Sequence, residues 1–414
     1  MQKIVIFGGS GNLAKLKLIY EISKLKLKNL EIIAYGRSDL SRNYTEKLLE
    51  FHKDYSEDFL STIKYVKGEY DDLSVLKSMI DEMTILYFAV PPLAYNTLLR
   101  STKSINHRII AIEKPFGYDK ETFDSLEITD KCIFIDHYLS KPLSLVLPYL
   151  KNENSYFKNI LRNEFIDRVE VNFKETITAK GIANFDRSGT IKDVIQNHML
   201  EMVAILFYEL EIAETSGFAK ARADVINSLK ADVTSLVKGQ YDGYEFNNSQ
   251  TESFAHFKSS FVSGPYNGIN IYFTAGKALN EKDSSVVIFI KEGYELDYLR
   301  SLELKMNIKP QGLKIIFSFM TDKGISIVVN TVNSHETIDI ITWEYIEVLL
   351  NKHYKGLSDY AYIFNSLLLN KNINMAEKDD VVASWNFITP LLEIKNKQLI
   401  KYKPKSDPIH LNKK

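Results

Sequence analysis

The chain has 414 residues, 45% of them hydrophobic, 25% charged and 12% aromatic, with a formal net charge of −1, so about two or three domains are expected and a disordered chain is excluded. The near-neutral charge excludes a general pull toward nucleic acid or anionic membrane, and neither is an expected partner. One cysteine, Cys132, excludes an intrachain disulfide and a cysteine-rich zinc or iron–sulfur site, which fits a reducing compartment.

No apolar run nears the ~20 residues of a membrane span, and a strand at 3–7 leaves little room for a targeting peptide before the fold, so the expected location is cytoplasmic. From that strand the first half alternates. Strands are predicted at 3–7, 31–35, 63–67, 84–90, 108–113 and 132–136, with helices near 11–27, 44–60, 71–82, 93–103 and 119–127. Alternation of this kind predicts a doubly wound, Rossmann-like parallel sheet of α/β class.

The first strand runs into Gly8-Gly9-Ser10-Gly11-Asn12-Leu13-Ala14. Glycines there permit a tight turn and close backbone approach, and the helix that follows offers its N-terminus to a pyrophosphate, so this loop is the candidate dinucleotide site. After the second strand stands Arg37, followed by Asp39. An arginine at that strand end pairs with the 2′-phosphate of NADP through its planar fork, whereas an acid would hold the ribose of NAD, so Arg37 makes NADP the expected cofactor while Asp39, two residues on, keeps NAD possible. Ala89-Val90-Pro91-Pro92 and Glu113-Lys114-Pro115-Phe116-Gly117 end later strands on the same sheet edge. Ala89 and Pro91 are candidate cofactor-wall residues. Pro115 keeps Lys114 extended and is compatible with a cis bond, directing the lysine between cofactor and substrate.

The sixth strand leads into Ile135-Asp136-His137-Tyr138-Leu139-Ser140-Lys141, followed by Pro142 and an apolar helix at 143–150. A carboxylate, an imidazole, a phenol and an ammonium within seven residues, at a strand end opening onto a helix, form a candidate anion site; Tyr138 and Lys141 are read as neighbours on the first helical turn.

From about 167 the pattern changes to strands at 168–177, 252–261, 269–275, 285–292, 302–308, 313–320 and 323–331, with helices near 191–210, 217–231 and from about 337 to 394. That predicts an α+β domain with a large, mainly antiparallel sheet, and the expected domains are 1–145 and 146–414. Removing a hydride from a carbinol carbon requires its hydroxyl proton to leave as well, and imidazole is the commonest acceptor. His198, in the segment 184–198, is the candidate base, with Asp136 as its orienting carboxylate. Asp193 and His198 are five apart, about 140° on an ideal α-helix, so they share a pocket only if Asp193 lies in the entry turn. Glu175 and Asp193 are candidate acceptors for sugar hydroxyls, and Lys277, after Gly276, is a candidate anion holder.

Together these segments resemble the glucose-6-phosphate dehydrogenases, in order and over nearly the whole chain. The heptad 135–141 and the histidine segment Asp193-Val194-Ile195-Gln196-Asn197-His198 carry most of the resemblance. It implies oxidation of the C1 hydroxyl of glucose 6-phosphate to 6-phosphogluconolactone by NADP with no metal, the first step of the oxidative pentose phosphate pathway, in a homodimer or homotetramer. It further implies His198 as base with Asp136 as partner, His137, Tyr138 and Lys141 as holders of the sugar phosphate, and Lys114, Glu175, Asp193 and Lys277 as holders of the sugar.

Some positions depart from the family pattern. Pro142 replaces an acid, Asn12 an aspartate, Thr274 an arginine and Lys309 a glutamine, while Lys282 keeps the charge of an expected arginine without its fork. These changes bear on affinity and sugar choice. Two other readings of the same residues are a dehydrogenase of another sugar or sugar phosphate and a catalytically silent NADP-binding sensor. Lys141, His137 and Tyr138 favour a phosphate, and the joint presence of Asp136, His198 and Lys114 favours catalysis.

Overall fold

The computed structural model describes residues 2–153, 155–181, 185–209, 211, 213–214, 217–246, 248–304, 310–332, 334–357, 359–370, 374–394 and 398–409. The chain forms two compact units, one of Met1–Ser140 with Leu357–Val381, the other of Lys141–Gly356 with Val382–Lys414.

The first unit holds β1 (Gln2–Phe7), β2 (Leu30–Gly36), β3 (Ile63–Lys67), β4 (Ile85–Phe88), β5 (Ile109–Glu113) and β6 (Cys132–Ile135) in the order β3-β2-β1-β4-β5-β6. All neighbours are parallel. Ile4, Val5, Ile6 and Phe7 are fully buried, because a parallel sheet covered on both faces needs continuous apolar runs rather than alternation. The strand order reverses between β1 and β4, which is where such sheets receive ligands. A helix from the second half of the chain, Asp359–Leu369, completes this unit. Its Phe364 packs on Tyr87 with ring centroids 5.1 Å apart, and the Gln2 side chain donates to the Leu368 carbonyl at 3.2 Å.

The second unit holds β7 (Ile166–Lys174), β8 (Leu229–Ala231), β9 (Val237–Tyr241), β10 (Phe254–Phe261), β11 (Asn270–Gly276), β12 (Asp283–Ile290), β13 (Gly312–Ser318), β14 (Ile325–Asn330), β15 (His335–Ile341) and β16 (Ile400–Tyr402). They form one sheet in the order β15-β14-β13-β12-β7-β11-β10-β9-β16, with β8 paired to β10. Pairing is antiparallel except for β7 with β11 and β9 with β16.

Several expectations need correction. The helix expected over 44–60 is two short ones, Tyr44–Leu49 and Glu57–Ser61, because Ser56 caps a new start by accepting the Phe59 N–H. Residues 71–82 contain only the 3₁₀ turn Ser74–Leu76. The helical stretch expected from 337 begins instead inside β15, and helices follow at Trp343–Tyr354, Asp359–Leu369 and Lys378–Leu392. Residues 302–304 are not a strand, and 305–308 lie outside the described residues, as do Asn184, Lys309 and the end of the lysine-rich tail. No described helix is long and apolar enough to cross a membrane.

Candidate active site

In the first unit the glycine loop is held against β2 and β4. The N–H groups of Gly8 and Gly9 both donate to the Tyr35 carbonyl, at 3.0 and 2.9 Å, and the Ala89 N–H donates to the Phe7 carbonyl at 3.0 Å. Gly8 has φ +85°, and a Cβ there would lie 2.2 Å from the Ala89 oxygen. No other residue fits. Ser10, Gly11, Asn12 and Leu13 complete the loop before a π-helix at Ala14–Leu18, and Pro91 precedes the 3₁₀ turn Pro92–Ala94. The bare, close-approach backbone at Gly8 and the helix start that follows it suit a pyrophosphate. Arg37 is exposed at the end of β2, its guanidinium 5.3 Å from the Tyr70 ring centroid, whereas Asp39 pairs with Lys67 at 3.8 Å. The group left presented at this strand end is therefore the cation.

The Lys114–Pro115 bond is cis. Just before it, Glu113 is buried at the end of β5, accepts the Tyr87 hydroxyl at 2.5 Å and also accepts that of Tyr360. Burial pushes the Glu113 carboxyl up to about 7, against the opposing influence of those two hydroxyls and of Lys114 and Lys17. Asp136 is 3% exposed, and its Oδ1 accepts the Tyr138 N–H at 2.9 Å. That bond caps a 3₁₀ turn, His137–Ser140, and the α-helix starts only at Pro142. Tyr138 and Lys141 therefore do not share a first α-helical turn as expected. Proline at N1 defers the helix past Lys141. The His137 ring lies between Tyr138, centroids 5.2 Å apart, and Tyr360, at 6.2 Å and an interplanar angle of 15°.

In the second unit, Asp193 and His198 lie on a π-helix, Ile191–Met199. Its i→i+5 bonding gives roughly 4.4 residues per turn, so residues five apart return to one face, and the separation expected of an α-helix does not arise. The Asn197 side chain adds a bond to the Lys192 carbonyl at 2.9 Å, also five back. Glu252 anchors the start of this helix. Its carboxylate accepts the Ile191 N–H and its carbonyl the Thr190 N–H, both at 3.1 Å. Gly189, at φ +66°, leaves space for that carboxylate, which a Cβ would meet at 2.4 Å. His198 is 3% exposed, its ring stacked on Phe173 with centroids 5.8 Å apart.

Glu175 follows β7, and Lys277 follows β11, its parallel neighbour. They form an ion pair at 2.5 Å, with Lys277 side chain 4% exposed. A lysine whose charge is already met by a carboxylate suits hydroxyl recognition better than capture of a free anion. Thr274 is buried and bonded to His256 Nδ1 at 2.9 Å, so nothing cationic occupies that position; Lys282 is exposed on the turn before β12.

Residues 148–411 match the model of the glucose-6-phosphate dehydrogenase C-terminal domain, and residues 5–144 that of the NAD binding domain of the same enzyme. The chain belongs to the glucose-6-phosphate dehydrogenase family. It is 29% identical over 413 residues to glucose-6-phosphate 1-dehydrogenase of Encephalitozoon cuniculi, covering 97% of this chain and 95% of that one. It is 27% identical to the cytoplasmic isoform of Solanum tuberosum, covering 97% and 88%. A solved glucose-6-phosphate dehydrogenase in complex with its substrate glucose-6-phosphate has the same fold, with a TM-score of 0.82, 24% identity, and 98% and 94% of the two chains covered. As a member of the family the protein is an oxidoreductase acting on glucose 6-phosphate, and its N-terminal unit binds a nicotinamide dinucleotide. The expected resemblance, fold class and reaction are thereby met.

Tyr360 and Glu252 were not among the expected site residues. Glu252 had a readable signal, an acid at the start of a strand in an otherwise apolar and hydroxyl-bearing run. Tyr360 had none, because it is 223 positions from His137.

Proposed function

We propose that the protein oxidises glucose 6-phosphate at C1 with NADP rather than NAD, releasing the lactone, as a cytoplasmic homodimer or homotetramer. The observation that carries the chemistry is the π-turn, which puts Asp193 and His198 on one helical face. His198 is the base. Its imidazole accepts the C1 hydroxyl proton, and Asp136, fixed by the Tyr138 N–H, orients the ring and stabilises the imidazolium. Asp193 and the Glu175–Lys277 pair hold the sugar hydroxyls, His137, Tyr138 and Lys141 hold the phosphate, and Lys282 adds a cation for the substrate. Lys114 serves sugar and cofactor.

The glycine loop, with no Cβ at Gly8 and a helix starting just after it, fits a dinucleotide held by Gly8, Gly9, Ser10, Gly11, Asn12, Leu13, Ala89 and Pro91. A dinucleotide held there would supply the hydride acceptor. The preference for NADP is supported by Arg37, presented at its strand end while Asp39 is engaged by Lys67.

The test is nicotinamide reduction by the purified protein with glucose 6-phosphate, glucose and fructose 6-phosphate, each with NADP and NAD. Reduction with glucose 6-phosphate and NADP alone is expected, and Arg37→Ala should raise KM for NADP by about tenfold or more while leaving that for NAD nearly unchanged. Equal use of both cofactors by the unaltered protein would remove the NADP assignment.

A further inference from the structure

Within the first unit, the glycine loop and the Arg37 strand end are braced by two tyrosines that belong to neither segment. The loop spends most of its backbone bonds on itself and on β2. The Gly8 and Gly9 N–H groups go to the Tyr35 carbonyl, and the Gly11 N–H goes to the Gly8 carbonyl at 2.8 Å. Gly9 lies so close to β2 that a Cβ there would meet that of Ala34 at 2.8 Å, and its carbonyl accepts the Tyr44 hydroxyl at 2.6 Å. Tyr44 opens the helix Tyr44–Leu49 and is 3% exposed. Burial raises its pKa, so the hydroxyl stays a donor. A peptide unit is planar, and the bond that fixes the Gly9 carbonyl therefore fixes the Ser10 N–H on the opposite edge of the same unit. Among the described residues no backbone carbonyl takes that N–H.

The second tyrosine, Tyr65 on β3, packs against Tyr44 with ring centroids 4.8 Å apart. Its hydroxyl donates to the Ser38 carbonyl at 2.7 Å, one residue after Arg37, and accepts the Ser10 hydroxyl. Gly36 makes room for this junction, since a Cβ there would lie 2.8 Å from the Tyr65 oxygen and 3.2 Å from Ser10 Oγ. One phenol thus bonds the glycine loop and the strand end that carries Arg37.

We propose that Tyr44 and Tyr65 are positioning residues for the dinucleotide, Tyr44 aligning the Ser10 N–H for the pyrophosphate and Tyr65 setting the strand end from which Arg37 meets the 2′-phosphate. This rests on the reading that the glycine loop and Arg37 hold NADP. NADP and NAD share the pyrophosphate, whereas the 2′-phosphate belongs to NADP alone. Loss of the Tyr44 hydroxyl is therefore felt by both dinucleotides, and loss of the Tyr65 hydroxyl chiefly by NADP.

The experiment is calorimetric titration of the purified protein with NADP and with NAD, beside thermal unfolding. Tyr44→Phe is expected to weaken both dinucleotides about fivefold, their affinity ratio staying within about twofold of the parent's. Tyr65→Phe is expected to weaken NADP about tenfold and NAD less than about threefold, because the charge-assisted contacts of Arg37 are misaligned. Tyr298→Phe is the control. Its buried hydroxyl also donates to a backbone carbonyl, that of Ile160 at 3.0 Å, but in the second unit, so its loss should lower the melting temperature and leave both dissociation constants unchanged. A Tyr44→Phe protein that melts lower yet binds both dinucleotides as before would have a merely structural hydroxyl, and equal weakening of NADP and NAD by Tyr65→Phe would detach Tyr65 from the 2′-phosphate. Either result would overturn the proposal while leaving the cofactor site intact. Absence of dinucleotide binding by the unaltered protein would instead overturn the loop reading, and equal affinity for NADP and NAD the Arg37 reading, and this proposal with either.

Discussion

His198 gets its character from two neighbours that are unlike each other. Phe173 covers one ring face, and the π-helix brings His198 round to the helical face that carries Asp193. A positioned general base typically contributes ~10²–10⁴-fold. His198→Asn should therefore lower kcat by at least ~10²-fold with NADP affinity retained, read by steady-state kinetics and cofactor titration; near-normal turnover would remove His198 from the chemistry. Asparagine keeps a hydrogen-bonding side chain of similar reach, so the loss would report the missing proton acceptor rather than a gap in the fold.

At the scale of elements, the π-helix Ile191–Met199 depends on what precedes it. Gly189→Ala would press a methyl group onto the Glu252 carboxylate from a left-handed backbone. Its expected cost is about 1–3 kcal/mol of stability from backbone strain, together with a fall in kcat of at least ~10-fold as Asp193 and His198 shift. Gly264 is the control: it also has positive φ, +75°, but no described atom within 4 Å of a built Cβ. Alanine there should cost stability only, and equal kcat losses at the two sites would mean that the Glu252 anchor does not align the helix.

The buried strands β1 and β5 were legible in the sequence because apolar runs bounded by glycine or proline have few other uses in an alternating chain. The π-helix was not, since one residue inserted in a turn leaves the apolar spacing almost that of an α-helix. β15 was misread for a related reason. As the outermost strand, with most of His335–Ile341 exposed or half-buried, it lacks the alternation that burial of one face imposes, and Ile338 and Ile341 fall at helical spacing. Of the candidate site, the residues clustered at strand ends were readable one by one. The Glu175–Lys277 pair was not, because it depends on β7 and β11 lying side by side in parallel, a matter of topology that local pattern does not encode.

For the molecule as a whole, Glu113 couples the proposed site to stability. Its folded value, about 7, is above the 4.5 of a free glutamate. The raised pKa means its contribution is complete below pH 4.5 and is lost as pH rises toward 7, a change of ~3 kcal/mol. Urea unfolding of the protein and of Glu113→Gln between pH 4.5 and 7.5 should show the variant gaining ground by roughly that amount across the window and no further above it. A constant difference would mean that Glu113 keeps an ordinary carboxylate value.

The segment Leu357–Val381 that completes the first unit has a consequence for how the molecule comes into being. Phe134 exchanges backbone bonds with Ala376, Tyr87 is roofed by Phe364, and Gln2 and Leu368 are joined across 366 positions. As the chain leaves the ribosome, its first 140 residues have a sheet but no lid over that side, and they must wait while more than two hundred further residues are translated. During that interval the Tyr87 face of β4 and the free edge of β6 are uncovered. The N-terminal half is begun first and finished late, and a fragment of residues 1–140 alone is expected to lack part of its core.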